Sequence, residues 1–188
     1  MNAVAIGPGI VSTSASLKVM AGLIEDLPHP VVIDAGGIDA IASYPEILKN
    51  AKGQRVITPH PGEMGRLLGI SSREIQADRV GIARRYAEEN NVCVVLKGAH
   101  TVIAMPEGKV FINTTGNSGM ATAGTGDVLT GMIAGLLAQR FKPEQAALAA
   151  VYLHGLAGNM VMDEKGEYGI MATDIIEKIP YAIKTVAN

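Results

Sequence analysis

Short runs of β-branched and other apolar residues alternate along the chain with longer stretches whose apolar positions recur at helical spacing. The short runs predict strands at 3–6, 31–33, 55–58 and 92–96, then a hairpin of 101–105 and 109–112. The longer stretches predict helices at 12–27, 45–50, 63–68, 72–90, 127–139, 143–162 and 173–185. Strands and helices in this order are typical of a mostly parallel sheet with helices on both faces. We therefore predict a three-layer α/β/α fold.

Composition supports one compact unit. Hydrophobic residues make up 48% of the 188 positions and charged residues 18%, which is too apolar for a disordered chain. The sequence has no linker, internal repeat or low-complexity tract, so we predict a single domain over 1–188. Apolar runs stay short of the roughly 20 residues that cross a bilayer, and the start lacks the regions of a signal peptide. We expect no membrane partner.

Charge and cysteine content narrow the class of partner further. The net charge is −2, no block of Lys or Arg stands out, and aromatic residues are 4% of the chain. The electrostatic footprint of a nucleic-acid-binding protein is therefore absent, and we expect no such partner. The single cysteine, Cys93, lies in an apolar run, and its use as a core residue fits a reducing, cytoplasmic setting.

Glycine and polar residues follow several predicted strands where each strand ends. These endings are 7–9, 34–36, 60, 97–98 and, after the hairpin, 117–127. Ligands of open α/β sheets bind outside the carboxyl ends of the strands, which meet at one edge. The joint occurrence of these endings therefore predicts a binding site at that edge.

The sharpest of these endings is Gly124-Thr125-Gly126-Asp127, which opens an apolar helix. A glycine pair lets successive N–H groups converge on an anion, and the helix adds the positive end of its dipole. We expect this helix to be buried, with Gly131 and Gly135 allowing close packing. Asp127 is either a general base beside the anion or a helix-start aspartate stabilised by the dipole. The four residues alone do not decide between these interpretations.

Five other polar residues each have two interpretations. His60, between two prolines, either fills a loop or contacts a ligand. Lys97 is either a surface lysine at a strand end or a neighbour of a phosphate. Glu63 either caps a short helix, which we favour, or meets a metal ion through water. Asn117 and Thr122 either hydrogen-bond a substrate or shape the approach to the glycine turn.

Five segments occur in the following order along the chain: AIGPGI at 5–10, VIDA at 32–35, TPHPGE at 58–63, LKGAHT at 96–101 and NSGMATAGTGDVL at 117–129. Together they resemble the ADP/ATP-dependent NAD(P)H-hydrate dehydratases, a branch of the ribokinase-like superfamily. The TPHPGE segment is fairly specific to this branch, whereas GTGD is shared by the wider superfamily. The resemblance runs over essentially the whole chain and implies a ribokinase-like fold.

The resemblance implies a repair reaction on hydrated NADH or NADPH, which carries a hydroxyl at C6 of the nicotinamide ring. The family phosphorylates this hydroxyl from ADP or ATP and then eliminates phosphate. Phosphate is a better leaving group than hydroxide, so a dehydratase of this kind resembles a kinase. Mg²⁺ is expected to assist phosphoryl transfer. The sequence identifies no protein ligands for it and does not distinguish ADP from ATP.

The resemblance also implies a role for each residue of the glycine turn. Asp127 would be the base on the C6 hydroxyl, and Gly124, Thr125 and Gly126 would hold the transferring phosphoryl group. The adenine nucleotide site would be formed by Lys97, Gly98, Ala99, His100, Thr101 and Gly126. Gly9 and His60 would contact the hydrated dinucleotide. The residues expected to support these groups are Asp34, Glu63, Asn117 and Thr122.

The chain departs from the family pattern in two places. The family has roughly 90 further residues before its Gly-Pro-Gly segment, a domain-scale difference. We therefore expect missing amino-terminal strands, an exposed sheet edge and a homo-oligomer that covers it. The family also carries an aspartate where this chain has Gly36, and Asp39 is the candidate to compensate.

Two alternative functions remain open from the sequence. The first is a small-molecule kinase of the same superfamily, of the hydroxyethylthiazole or hydroxymethylpyrimidine type. The segments at 58–63 and 97–101 argue against it. The second is an inactive module that binds adenine nucleotide without turnover.

Overall fold

The computed structural model describes residues 2–187, which contain one six-stranded sheet in the order β1-β2-β3-β4-β5-β6. Strands β1 to β4 are parallel, and β5 and β6 are antiparallel. The bounds are β1 Val4–Ile6, β2 Val31–Ile33, β3 Arg55–Ile57, β4 Cys93–Leu96, β5 Val102–Ala104 and β6 Val110–Ile112. The mostly parallel sheet and its terminal hairpin confirm the predicted fold class.

Helices cover both faces of the sheet. Their bounds are α1 Ser14–Asp26, α2 Gly36–Ser43, α3 Pro61–Leu68, α4 Ser72–Ala77, α5 Arg79–Asn90, α6 Thr125–Ala138, α7 Pro143–Lys165 and α8 Ala172–Ala187. Successive strand residues point to opposite faces. In β2, Val31 and Ile33 pack with α1 to α5, whereas Val32 packs with α6 and α7. The result is three layers, with apolar cores on both sides of the sheet.

Two predicted helical regions differ from the structure. The segment 45–50 forms only a single 3₁₀ turn, Pro45–Ile47, and the helix of this connection is α2. The predicted helix over 72–90 is two helices, because Asp78 has a non-helical backbone (φ −144°, ψ 59°). Its side chain accepts a hydrogen bond from Gly81 N at 2.9 Å and thereby caps α5.

Helix α6 is buried on one side and open on the other, so the expectation of a fully buried helix is wrong. Leu129, Ile133 and Leu137 are buried against the sheet and α7. Gly131 and Gly135 are exposed, and a Cβ on either would have no heavy atom within 4 Å. Within residues 2–187 no element packs closely on these glycines.

The sheet has an open edge strand, and the carboxyl ends of its parallel strands lie together. Strand β1 is at one edge of the sheet, and its Ala5 is exposed. None of the helices in residues 2–187 has the length and the apolar character that a transmembrane span requires. The carboxyl ends of β1 to β4 lie side by side and form the carboxyl edge of the sheet. A hydrogen bond from Thr130 of α6 to Asp34 brings α6 to the same carboxyl edge.

Candidate functional site

Asp34, the first residue after β2, lies at the centre of the carboxyl edge of the sheet. It is 1% exposed, and its two carboxylate oxygens have different partners. Lys97 Nζ, after β4, lies 2.7 Å from Oδ1, and Thr130 of α6 donates its hydroxyl to Oδ2 at 2.9 Å. Lys97 Nζ also lies 3.8 Å from Glu63 Oε2. Three elements of the fold thus meet at one buried carboxylate.

The Lys97 ammonium lies directly beside the glycine turn. A Cβ built on Gly126 would be 3.4 Å from Lys97 Nζ and 3.8 Å from Asp34 Oδ2. The first turn of α6 is therefore within van der Waals reach of the ion pair. The cation and the start of α6 form a single surface at which a negatively charged group could bind.

The glycine turn has the geometry of an anion-binding helix start. Gly124 precedes α6 in the left-handed region (φ 87°). The Thr125 hydroxyl lies 2.9 Å from the carbonyl oxygens of Met120 and Thr122, so it stabilises the turn from inside. The N–H groups of Gly126 and Asp127 are in the first turn of the helix and have no intrahelical acceptor. They are the groups available to an anion.

Asp127 differs from Asp34 in its environment, since its side chain is exposed. Together with Gly124 it lines a cavity of about 530 Å³ between α6 and α8, whose other lining residues include Met132 and Ile176. An exposed carboxylate next to a free helix start can accept a proton from a molecule that occupies this cavity. The structure places no protein cation against it within the described residues.

His60 and Glu63 cap α3 reciprocally. His60 Nδ1 accepts hydrogen bonds from the N–H groups of Gly62 at 3.0 Å and Glu63 at 3.3 Å. Glu63 Oε2 accepts from His60 N at 2.7 Å. Because Nδ1 is an acceptor here, the ring proton is on Nε2. The imidazole is half exposed, so the cap leaves its outer edge accessible.

The loop 97–101 is organised by Arg79, a residue that the sequence analysis did not identify. Arg79 Nη2 donates to the carbonyls of Leu96 at 2.9 Å and Lys97 at 3.2 Å, and Nη1 donates to Ala99 O. Ala99 and the neighbouring His100 are exposed. Arg79 comes 17 residues before Leu96, and no local pattern links the two positions.

The turn in this loop depends on two unusual backbone conformations. Gly98 has φ 135° and His100 has φ 54°. Thr101 Oγ1 donates to Gly98 O at 3.1 Å and closes the turn. The loop therefore presents exposed backbone next to Lys97.

Three predicted site residues, Asn117, Thr122 and Gly9, are not bonded to the Asp34–Lys97 pair. Asn117 Nδ2 donates to Asn159 Oδ1 of α7 at 3.1 Å, and Asn117 Oδ1 has no hydrogen-bond partner within residues 2–187. Thr122 contributes its carbonyl to the glycine turn. Gly9 is exposed with φ 72°, and a Cβ there would meet nothing within 4 Å. Ionic contacts thus join Asp34, Lys97 and Glu63, with Gly126 close to the Lys97 ammonium, whereas no hydrogen bond of Asn117, Thr122 or Gly9 reaches these three charged residues within 2–187.

The structure also explains the glycines near Asp34. A Cβ on Gly36 would be 2.8 Å from the Ile10 carbonyl oxygen, and a Cβ on Gly7 would be 1.8 Å from the Asp34 carbonyl oxygen. The loop after β1 therefore leaves no room for an aspartate at position 36. The carboxylate of Asp39 is bound by Ser12 Oγ at 2.8 Å and paired with Arg66, which argues against its compensating for that aspartate.

Comparison with known proteins places the chain in a family. The family model described as NAD(P)H-hydrate dehydratase matches residues 1–181. Over 186 residues the chain is 46% identical to the bifunctional NAD(P)H-hydrate repair enzyme of Moorella thermoacetica, covering 99% of this chain and 35% of that protein. Over 178 residues it is 39% identical to the ADP-dependent (S)-NAD(P)H-hydrate dehydratase of Bacillus subtilis, covering 95% of this chain and 62% of that protein.

A solved structure supports the same grouping. The ADP/ATP-dependent NAD(P)H-hydrate dehydratase from Bacillus subtilis, co-crystallised with ATP/Mg²⁺, superposes with a TM-score of 0.88 at 38% identity. The match covers 98% of this chain and 64% of that one, so the chain spans less than two thirds of the length of these relatives. The family match, the identity and the ribokinase-like fold agree, and the chain belongs to the NAD(P)H-hydrate dehydratase family.

Proposed function

We propose that this chain catalyses the ADP- or ATP-dependent dehydration of (6S)-NADH or NADPH hydrate, by phosphorylation followed by elimination. Family membership supports the reaction class. The observation that carries the proposal is the position of the Lys97 ammonium beside Gly126, where Asp127 follows in the same helical turn. Phosphoryl transfer to a hydroxyl is favoured by a cation and free N–H groups at a helix start that has an exposed carboxylate in the same turn.

In the first step Asp127 takes the proton of the C6 hydroxyl as its oxygen attacks the terminal phosphoryl group of the nucleotide. A new P–O bond forms, and the bond to the departing AMP or ADP breaks. The N–H groups of Gly126 and Asp127 and the Lys97 ammonium neutralise the charge on the phosphoryl oxygens. These groups are fixed before the reaction by helix α6 and by the Asp34 ion pair.

In the second step phosphate leaves C6 with the electrons of the C–O bond. A proton is lost from the adjacent C5, and its electrons form the C5–C6 double bond of NADH or NADPH. The overall products are the repaired dinucleotide, inorganic phosphate and AMP or ADP. We assign the loop Lys97, Gly98, Ala99, His100 and Thr101 to the adenine nucleotide, and Gly9 and His60 to the hydrated dinucleotide.

Mg²⁺ would supply charge neutralisation for the nucleotide phosphates. In the described part of the chain there is no group of three or more His, Cys, Asp or Glu side chains that could hold a metal ion. Mg²⁺ commonly binds through one or two carboxylates together with phosphate oxygens and water. The residues present fit such an ion: both oxygens of Asp34 already have protein partners, and Glu63, whose Oε2 lies 3.8 Å from Lys97 Nζ, is the carboxylate that would hold it.

The experiment is incubation of the chain with NADH hydrate, Mg²⁺ and either ADP or ATP. Recovery of NADH absorbance with equimolar release of phosphate supports the proposal. A stable phosphorylated product from hydroxyethylthiazole or hydroxymethylpyrimidine would favour a kinase instead. Calorimetric ADP binding without turnover of any of these substrates would indicate a nucleotide-binding module.

We further propose a cytoplasmic homo-oligomer without nucleic-acid or membrane partners. The edge strand β1 and the apolar side chains of Val19 and Leu23, 63% and 43% exposed, provide surface for a second copy. The net charge of −2 is unfavourable for binding polyanions.

A further inference from the structure

Thr130 makes an unusual hydrogen bond for a threonine inside a helix. Such hydroxyls commonly donate back to the carbonyl four residues earlier. Thr130 instead donates across to Asp34 Oδ2, 96 residues away in sequence, and is 1% exposed. The bond joins α6, one turn beyond Asp127, to the end of β2.

This bond completes the coordination of Asp34. The side chain is 2% exposed, so water does not replace a missing partner. Oδ1 faces Lys97 Nζ and Oδ2 faces Thr130 Oγ1. Loss of either partner would leave one buried oxygen of Asp34 without a hydrogen bond. The carboxylate could then rotate toward the partner that remains.

The position of Lys97 depends on this carboxylate. Its side chain is 20% exposed, and its closest anionic atom is Asp34 Oδ1 at 2.7 Å, against 3.8 Å for Glu63 Oε2. An ammonium has three donors, and the Asp34 bond occupies one of them. The others are available on the side of Gly126, where a Cβ would lie 3.4 Å away.

We infer that Thr130 is a positioning residue, which fixes Asp34 and through it holds the Lys97 ammonium at a set distance from the start of α6. Because Thr130, Gly126 and Asp127 share one helix, the same bond sets the distance between the cation and the proton acceptor. This inference rests on the proposed function and adds to it a residue without contact to the substrate.

The test compares Thr130→Val, which keeps the shape but removes the donor, with Thr130→Ser, which keeps the donor. With NADH hydrate and ADP, Thr130→Val should lower kcat about ten-fold and raise KM for ADP by a similar factor, because the displaced ammonium serves both the bound and the transferring phosphate. Thr130→Ser should stay within two-fold of the parent. Lys97→Ala combined with Thr130→Val should have the kcat of Lys97→Ala alone.

A parent-like kcat in Thr130→Val, or additive losses in the double variant, would overturn the inference. If Thr130→Val does not fold, Thr130→Ala takes its place, because it also removes the donor and should show the same loss of kcat, about ten-fold. Thermal unfolding of each variant separates folding from positioning.

A binding measurement separates this inference from the proposed function. If the parent chain turns over no substrate, the proposed function fails, yet calorimetry with ADP and AMP still tests the positioning. Thr130→Val should then lose about ten-fold in affinity for the nucleotide whose phosphate reaches Lys97, here ADP, and little for AMP. Equal affinities in variant and parent, or equal losses for both nucleotides, contradict the inference.

Discussion

Asp127 and Asp34 are both carboxylates of the same site, and their surroundings assign them different tasks. Asp34 is buried and its oxygens are occupied, whereas Asp127 is exposed at a cavity. Asp127→Asn should therefore lower kcat by about 10²–10⁴-fold, as expected for loss of a general base, and change ADP affinity little. Steady-state kinetics and calorimetry measure the two quantities.

The matched control for this prediction is Asp163→Asn, an exposed aspartate on α7. It removes the same charge from a helix away from the glycine turn and should leave kcat unchanged. A near-parental kcat in Asp127→Asn would remove Asp127 from the role of base.

His154 on α7 should make stability depend on pH. Burial lowers its pKa from 6.5 to about 4, and a smaller opposing effect comes from a hydrogen bond with the Thr125 backbone. The unfolded chain therefore binds more protons between these values, so the free energy of unfolding falls as pH drops from about 6.5 to 4. The loss is at most about 3 kcal/mol, and above pH 6.5 this histidine has no effect.

Urea unfolding of the parent and His154→Gln at pH 7 and pH 4.5 tests this effect. Titrating carboxylates contribute to both proteins, so the difference between their losses isolates His154. Equal losses in the two proteins would show that the histidine is not buried in its neutral form.

Several site residues could be predicted from the sequence for a simple physical reason. Asp34, Lys97 and Glu63 follow parallel strands, whose carboxyl ends meet at one edge, and the structure brings these three together. Thr130 and Arg79 could not be predicted, because each lies within a helix and acts on a strand end through tertiary contact. Neither position has a distinctive local motif.

At the scale of elements, the strands were predictable and two helices were not. Short apolar runs mark buried strands clearly, and every predicted strand is present within one residue at each end. Helix α2 begins with Gly36 and Gly37, which resemble a loop in sequence. The break between α4 and α5 depends on the backbone of Asp78, a residue compatible with a continuous helix.

Helices α6 and α7 both contain glycines, with opposite consequences for substitution. Gly131 of α6 has open space around its missing Cβ, so Gly131→Ala should raise the free energy of unfolding by about 0.5–1 kcal/mol. Gly155 of α7 packs on Thr115, whose Oγ1 would be 2.2 Å from a Cβ. Gly155→Ala should therefore lower the free energy of unfolding by about 1–3 kcal/mol.

Urea unfolding measures both glycine variants against the parent, and each serves as the control for the other. Destabilisation by Gly131→Ala would mean that this face of α6 is covered in solution. Stabilisation by Gly155→Ala would contradict the close approach of α7 to Thr115.

At the scale of the molecule, the two ends of the sheet have separate tasks. The carboxyl edge carries the site, whereas the amino edge is held by Arg55, which is 3% exposed. Its guanidinium donates to the carbonyls of Ile24 at 2.7 Å, Leu27 at 2.8 Å and His29 at 3.1 Å. Arg55→Lys cannot reproduce this fork, and should lower the free energy of unfolding by about 1–3 kcal/mol.

Since Arg55 lies at the far end of the sheet, kcat in the folded Arg55→Lys variant should match that of the parent. Thermal unfolding and turnover at a temperature where both proteins are folded provide the comparison. A selective loss of kcat would show that the two ends are coupled.

The edge strand β1 allows the proposed oligomer to be tested. Val4 and Ile6 form the ladder bonds to β2, so Ala5 directs its N–H to the open edge. Ala5→Pro removes this donor without removing a ladder bond, and proline is tolerated at sheet edges. Sedimentation velocity should show concentration-dependent association of the parent and weaker association of Ala5→Pro. A monomeric parent at every concentration would contradict the oligomer.

The burial of Cys93 has a practical consequence for detecting association of this chain with another polypeptide. The thiol is 2% exposed, and burial raises its pKa to about 12, so the reactive thiolate is scarce at neutral pH. A cysteine introduced at an exposed position would therefore react with a fluorescent maleimide ahead of the native one. Placed at Gly131, where a Cβ meets no neighbour, the dye would report directly on whether another polypeptide settles against α6.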